Sequence, residues 1–443
     1  MITIDSKLNN ETIKVILEKD YIDRNKYLNS FINILDKVKE SKIIALDGDW
    51  GSGKTWFVKS LEYLMNEDID FKTNNIDIDI LNSVKDNYMT FYYNAWENDD
   101  AQSAMLSLMY KLVNDSCMEK DKDSKGPIPR ILNTVIKYAT AGAVDVKNDL
   151  FGEQWTNKQI TDSIKTSEKI KESFKELIDS LLVENKNKIL IIIDEIDRCK
   201  PTFAIDLIEN IKHFYDDDRI VFLIATNNKQ LGATVCKVYG EKYDGNLYLD
   251  KIFDLTLELP NNYLEKYISA IDGNKSNSHY KYKVPRELAK EYNISMRELN
   301  RYLKSLDIID KYFDGGSDIY YIGVSVKHII IPVALLLKII DKNKYYSFIN
   351  GKLFSEIETL IKNNDYINRI ATDIMRNKNS SIIKKIYSEN ISEEEKENKR
   401  VLMTINIMND IYRSIFIKPD EDMDRWEYRE ALKDILNVIS LLS

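Results

Sequence analysis

Between residues 8 and 40 apolar side chains recur at three- and four-residue spacing, with Tyr27, Leu28, Phe31, Ile34, Leu35 and Val38 on one face, which predicts helix. The pattern then changes. Ile43 to Leu46 is a short continuous apolar run, read as a buried strand, and Phe57, Leu61 and Leu64 mark a helix after it. Residues 66 to 87 are polar and acidic and read as a loop. Tyr88 to Tyr93 is aromatic and β-favouring, hence a strand. Residues 99 to 188 form a long helical insertion. It is broken at Lys120 to Pro129, weakly apolar from Ile131 to Val146, and striped with Phe174, Leu177, Leu181 and Leu182.

The unbroken apolar stretch Ile189 to Ile193 fits a strand buried on both faces, as in a parallel sheet. Pro201 opens a helix carrying Leu207, Ile208 and Ile211. Ile220 to Ala225 is a fourth strand, and Ile252 to Leu259 a fifth that Pro260 ends. Long helical stretches between the strands give an α/β, βαβ-type core. From Val284 the pattern is helical, with Ser295 and Glu298 as a capping box and Leu299, Tyr302 and Leu303 facing inward. Residues 320 to 443 are helical with polar interruptions, including the charge run 390 to 400, a solvated helix end or loop.

At 443 residues the chain is too long for one ordinary core, and two or three domains are expected. A composition 44% hydrophobic and 30% charged is globular. The net charge of −9 supplies no global basic field for nucleic acid, although a local basic face would be compatible with it. Cys117, Cys199 and Cys236 lie far apart, as reduced thiols of a cytoplasmic protein would, and with three histidines no Cys/His zinc cluster is evident. The first residues have no charged-then-apolar leader pattern. The longest apolar run, His328 to Ile340, is too short to span a bilayer and contains Pro332 and Lys338, so a buried helix is expected and no integral membrane span.

The chemistry concentrates after the first strand. Gly48-Asp-Trp-Gly-Ser-Gly-Lys-Thr55 reads G-x-x-x-x-G-K-T, between a strand and a helix. Gly51 and Gly53 permit positive φ, so that successive N–H groups curl around phosphate oxygens at a helix N-terminus. Gly48, Asp49, Trp50, Gly51, Ser52, Gly53, Lys54, Thr55 and the following Trp56 are the candidate nucleotide-binding residues. Lys54 would reach the β- and γ-phosphates, and the Thr55 hydroxyl would ligate Mg²⁺.

Asp194 ends the third strand, where it would hold Mg²⁺ opposite Thr55. Glu195 follows, placed to accept a proton from, or orient, an attacking water. Asn227, after the fourth strand, is a candidate for touching the γ-phosphate, with a simple turn role as the alternative. Asn228-Lys-Gln230 lacks the Asp that would read guanine, which favours ATP over GTP. Arg297 stands in a helix first turn, where a cation opposes the helix dipole. It is either a γ-phosphate sensor or a solvated surface residue. Trp96 reads as a packing residue, and Tyr21 and Ile22 are weak candidates for the base pocket.

Together these residues resemble the KAP family of P-loop NTPases. The resemblance lies in Asp47 to Thr55, in the strand-plus-Asn-Ala-Trp of Phe91 to Trp96, in Ile193-Asp-Glu-Ile-Asp-Arg-Cys199, in Tyr248-Leu-Asp-Lys-Ile252 and in Ser295-Met-Arg-Glu-Leu299. It implies a three-layer αβα P-loop core of the additional-strand (ASCE) division, near AAA+ and STAND ATPases, in which one strand separates the strands carrying the two motifs. The implied organisation is a core over 1–265, a helical lid over 266–310 carrying Arg297, and a helical domain over 311–443.

Family members often carry two membrane spans between the motifs; the insertion here has no run of that kind. The family commonly has two aspartates where this chain has Asp194-Glu195, and often Asp at the position of Asn227. AAA+ relatives use Glu as base and Asn as sensor. AAA+-like sites also borrow a cation from the next subunit; here that position is held by Lys251, with Arg198 and Arg219 as rivals. The resemblance thus implies a Mg-ATP-hydrolysing switch that self-associates or acts on a protein effector, in a family whose prokaryotic members are often linked to anti-phage defence. A non-hydrolysing ATP-binding scaffold and a nucleic-acid-associated motor are the competing readings.

Overall fold

The computed structural model describes residues 8–20, 23–101, 103–119, 163–182, 186–212, 217–259, 266, 283–312, 326–365, 367–369, 371–372, 391–416, 437 and 439. Tyr21, Ile22 and most of the insertion's middle lie outside them. The chain divides into two compact units, one ending at Asn261 and the other beginning at Asn262.

The first unit is built on a five-stranded sheet in the order β2-β3-β4-β1-β5. The strands are β1 Lys42–Asp47, β2 Tyr88–Asn94, β3 Lys188–Asp194, β4 Ile220–Thr226 and β5 Leu255–Glu258. Every pairing is parallel. β4 therefore separates β1 from β3, the expected ASCE order. Register puts Asp47 beside Thr226 and Asn94 beside Asp194, so the carboxyl ends of β1, β4, β3 and β2 form one rim. A crevice outside such a rim is where open α/β sheets take ligands.

Alternation along the strands builds the layers. Ile44, Leu46, Leu190, Ile192, Val221 and Leu223 face α1 Asn10–Lys19, α2 Asn25–Lys37, α3 Lys54–Asn66 and α4 Ile78–Asn87. Ile43, Ala45, Ile189, Ile191, Ile193 and Phe222 face the other way. There they meet α5 Ala104–Glu119, α6 Ser163–Leu181, α7 Pro201–Lys212, α8 Asn228–Tyr239 and α9 Gly245–Asp250. Both faces of β3 are thus covered. Its isoleucines are fully buried, each contributing about 1.5–3 kcal/mol of transfer free energy.

Three expectations are corrected. Residues 66–87 are not all loop: α4 occupies Ile78–Asn87. Asp77 caps it, Oδ1 accepting from the N–H groups of Asp79 and Ile80, and only Leu81 and Val84 are buried. A stripe so thin carries almost no periodic signal. The fifth strand is shorter than Ile252 to Leu259. Tyr248, Leu249 and Asp250 belong to α9, capped by Asp244, and β5 is an edge strand paired only to β1. Trp96 is not a packing residue; it is 51% exposed, in a short 3-10 turn after β2.

The second unit is helical. α10 Lys283–Glu291 precedes α11 Met296–Tyr312, whose capping box forms, with Glu298 Oε2 accepting from Ser295 N–H and Ser295 Oγ from Glu298 N–H. α12 Ile331–Ile340 is buried from Ile331 to Leu337, and Tyr302 donates to the Pro332 carbonyl at 2.9 Å. α13 Lys342–Ile349, α14 Ser355–Asn363 and α15 Glu393–Phe416 follow. Tyr412 packs there against Phe348, Phe354 and Phe416. Among the described residues no helix is long and apolar enough to cross a membrane.

Candidate functional site

The loop between β1 and α3 has the backbone its glycines foreshadow. Gly51 has φ 85° and Gly53 φ 91°, both left-handed. Gly48 is tight for a different reason: a Cβ there would lie 2.7 Å from Ser52 Oγ, which would have to turn away. Gly53 is the residue before α3, so the first N–H groups of that helix open toward the crevice. Lys54 is buried, with Nζ donating to the carbonyl oxygens of Gly48 (2.5 Å) and Asp49 (3.2 Å). Burial lowers its pKa, while the carboxylates of Asp197, Asp194 and Asp47 pull the other way. Trp56 is half-buried in the first turn of α3.

Asp194 is 1% exposed at the end of β3. Burial pushes its carboxyl up to about 6, against the favourable hydrogen bond from Thr55. Its Oδ1 accepts from Glu195 N–H (2.9 Å) and its Oδ2 from the Tyr92 hydroxyl (3.1 Å). Glu195 has φ 61° and ψ 25°, a left-handed conformation costing a side-chain-bearing residue about 1–2 kcal/mol. Strain of that kind gathers where a side chain must be aimed. Glu195 pairs with Arg198 at 2.9 Å, and the Arg198 guanidinium lies 5.5 Å from the Trp96 ring.

Asn227 plays two parts. Its Oδ1 caps α8 by accepting from Gln230 N–H, the turn role, while Nδ2 faces Asp49 Oδ1 at 3.5 Å. Asp47 accepts from Asn228 N–H at 2.8 Å, tying the end of β1 to the start of α8. On the other side of the loop, the half-exposed Trp50 donates Nε1–H to Asp197 at 2.5 Å. The phosphate loop is thus fastened to the loops after both β3 and β4.

The structure brings together Gly48 to Trp56, Asp194, Glu195 and Asn227. It does not bring Lys251 there. Lys251 is exposed ahead of β5, at the amino end of a strand parallel to β1, whereas the phosphate loop follows the carboxyl end of β1. Arg219, ahead of β4, is likewise at the far end, clamped by Asp217 and Asp179. Arg297 belongs to the C-terminal unit, exposed in the first turn of α11.

Three residues escaped sequence reasoning. Arg24 is 5% exposed and donates to the Ser52 carbonyl at 2.9 Å, bracing the loop from behind. Asp197 was visible as a third acid after β3, and Tyr92 as an aromatic on the strand beside it. Each stood inside a stretch that carries the resemblance, Ile193 to Cys199 and Phe91 to Trp96, but with no role attached to it.

The donor set fits a nucleotide with Mg²⁺. Ser52 Oγ and Thr226 Oγ1 are buried at the crevice with no hydrogen-bond partner among the described residues. The Thr55 hydroxyl and the Asp194 carboxylate lie side by side as hard oxygen donors. Mg²⁺ usually takes only one or two protein ligands and shares the rest with waters and phosphate oxygens, which two such donors would serve.

Sheet order, phosphate loop and acidic strand end together define a nucleotide-binding P-loop NTPase. The model of the KAP family P-loop domain matches residues 24–313, and the chain belongs to that family. No curated protein matches the sequence. Among solved structures the chain is similar to Drosophila ORC bound to poly(dA/dT) DNA and Cdc6, with TM-score 0.37 and 11% identity over 97% of this chain and 71% of that one. It is also similar to Drosophila ORC bound to GC-rich DNA and Cdc6, with TM-score 0.35 and 11% identity over 98% and 72%. Likeness at that level says nothing about what this chain binds.

Proposed function

We propose that this KAP-family chain is an ATPase that uses Mg-ATP as a conformational or assembly switch. One observation carries the reading: the phosphate loop, the Thr55–Asp194 pair and Glu195 converge at the carboxyl ends of β1 and β3, separated only by β4, which supplies Asn227. In this reading the loop N–H groups and Lys54 hold the phosphates, while Thr55 and Asp194 hold the metal. Mg²⁺ supplies charge neutralisation on the phosphoryl oxygens. Glu195 takes a proton from the water whose oxygen bonds to the γ-phosphorus as the bridging P–O bond breaks and ADP leaves.

Asn227 reports the γ-phosphate to α8. Lys251 faces away from its own chain's loop, so its proposed role is as a cation lent to another copy. The biological setting, by analogy with prokaryotic members of the family, is anti-phage defence with a protein effector as partner, in the cytoplasm.

Phosphate release measured across a dilution series tests the reading. Steady ATP turnover, rising per molecule with protein concentration, is the expected result. Turnover flat on dilution would remove the trans role of Lys251, and none under any condition would remove the ATPase. A second reading, an ATP-binding scaffold that does not turn over, is favoured by the Glu195–Arg198 ion pair, which occupies the base. ATP binding without phosphate release would select it. The net charge of −9 weighs against a nucleic-acid motor.

A further inference from the structure

We propose that Tyr92 is a positioning residue for the metal half of the site: its hydroxyl fixes the Asp194 carboxylate in the orientation that shares Mg²⁺ with Thr55. The inference rests on the ATPase reading and extends it to a residue to which neither the phosphate loop nor the acidic strand end gives a role.

Tyr92 reaches the site from the neighbouring strand. β2 and β3 pair in parallel register, with Tyr92 beside Ile192 and Asn94 beside Asp194. The tyrosine therefore sits two residues short of the strand end. A phenol has the length to cover that distance, and its hydroxyl meets Asp194 Oδ2 at 3.1 Å. The other carboxylate oxygen is taken by Glu195 N–H at 2.9 Å. With one donor on each oxygen, the carboxylate plane is set. The Thr55 hydroxyl then finds it from α3. Remove the phenol, and the buried carboxylate keeps only the Glu195 N–H and the Thr55 hydroxyl, the second being a group that would itself turn to the metal.

The phenol is itself held. Lys59, one turn of α3 beyond Thr55, places Nζ 3.1 Å from the centre of the Tyr92 ring and pairs with Glu62 at 2.8 Å. A cation on the ring face draws electron density from the ring and makes the hydroxyl a better donor. The helix that presents Thr55 thus also holds the ring that orients Asp194. Partners of this kind, one bond removed from a metal, typically change metal affinity by about 10–100-fold when lost.

The test compares the full chain with Tyr92→Phe, binding a fluorescent ATP analogue in EDTA and then across a Mg²⁺ titration. Tyr88→Phe is the control. It removes a hydroxyl from the same strand, but one that donates to the Leu35 carbonyl at 3.1 Å, away from the site. In Tyr92→Phe the half-saturating Mg²⁺ concentration is expected to rise about tenfold or more, with binding in EDTA within twofold of wild type and Tyr88→Phe unchanged. An unshifted Mg²⁺ midpoint, an equal shift in Tyr88→Phe, or equal weakening in EDTA would each overturn the role given to Tyr92. Those failures leave the site reading intact. Wild-type chain that bound no analogue, or bound it without regard to Mg²⁺, would overturn both.

Discussion

Asp194→Asn should make the empty protein more stable, and increasingly so as pH rises. The folded carboxyl titrates at about 6 against an ordinary value of 3.8, because burial disfavours its charge. That difference of about 2 units, at about 1.4 kcal/mol per unit, is roughly 3 kcal/mol. The sign follows from linkage. Below the unfolded pKa the group is protonated in both states and the penalty is absent. As pH rises through the folded value of about 6, the fold must carry a buried charge, and the penalty is complete.

Asparagine has no charge to bury. Its oxygen can accept from Glu195 N–H, and its amide can donate to the Tyr92 oxygen once that hydroxyl turns. Melting in EDTA should therefore show only about a third of the gap near pH 4.5 and all of it at pH 8, where the variant melts higher by several degrees, on the scale of about 2–4 °C per kcal/mol for a unit of this size. Mg-ATP should then narrow or reverse the gap, stabilising wild type by ligand linkage more than the variant, which keeps only the metal-independent hold on the phosphates. A difference independent of pH, or a variant less stable at pH 8, would refute the reasoning that Asp194 is a charge held ready for a cation.

Two other substitutions probe neighbouring claims. Lys54→Ala should abolish tight ATP binding, since the loop loses its inward cation; calorimetry returning wild-type affinity would remove Lys54 from the site. Gly245→Ala should destabilise by about 1–3 kcal/mol or more, because a Cβ there would lie 2.0 Å from the Gly232 carbonyl oxygen, backbone that cannot rotate aside. An unchanged denaturation midpoint would show that α8 and α9 have room to separate.

Much of the sheet was legible because parallel strands buried on both faces write themselves as unbroken apolar runs, Ile189 to Ile193 above all. The edge strand was less legible. β5 is covered on one side only, and the apolar residues before it, Leu249 and Ile252, pack with the α8–α9 layer instead of extending it. α4 was missed because two buried residues in ten do not make a period. In the candidate site, residues tied to a spacing could be named in advance: Gly48 to Thr55, Asp194 and Glu195. Residues that act across the fold could not. Arg24 meets Ser52 from 28 positions away and Tyr92 meets Asp194 from 102. Contacts at such separations are set by strand register and helix placement, which no local pattern records. Trp96 was misjudged because a tryptophan is usually read as core, whereas here it offers a face to Arg198.

The central claim is that Glu195 acts on ATP held by the phosphate loop, and the nucleotide retained after one turnover tests it most directly. Wild type and Glu195→Gln would be loaded with Mg-ATP, passed rapidly over a desalting column, quenched, and the bound nucleotide identified. Loss of a general base slows the step by about 10²–10⁴-fold. Wild type should therefore carry ADP and the variant ATP, with equal total occupancy. Equal ADP in both would contradict the account, because hydrolysis would then proceed without Glu195.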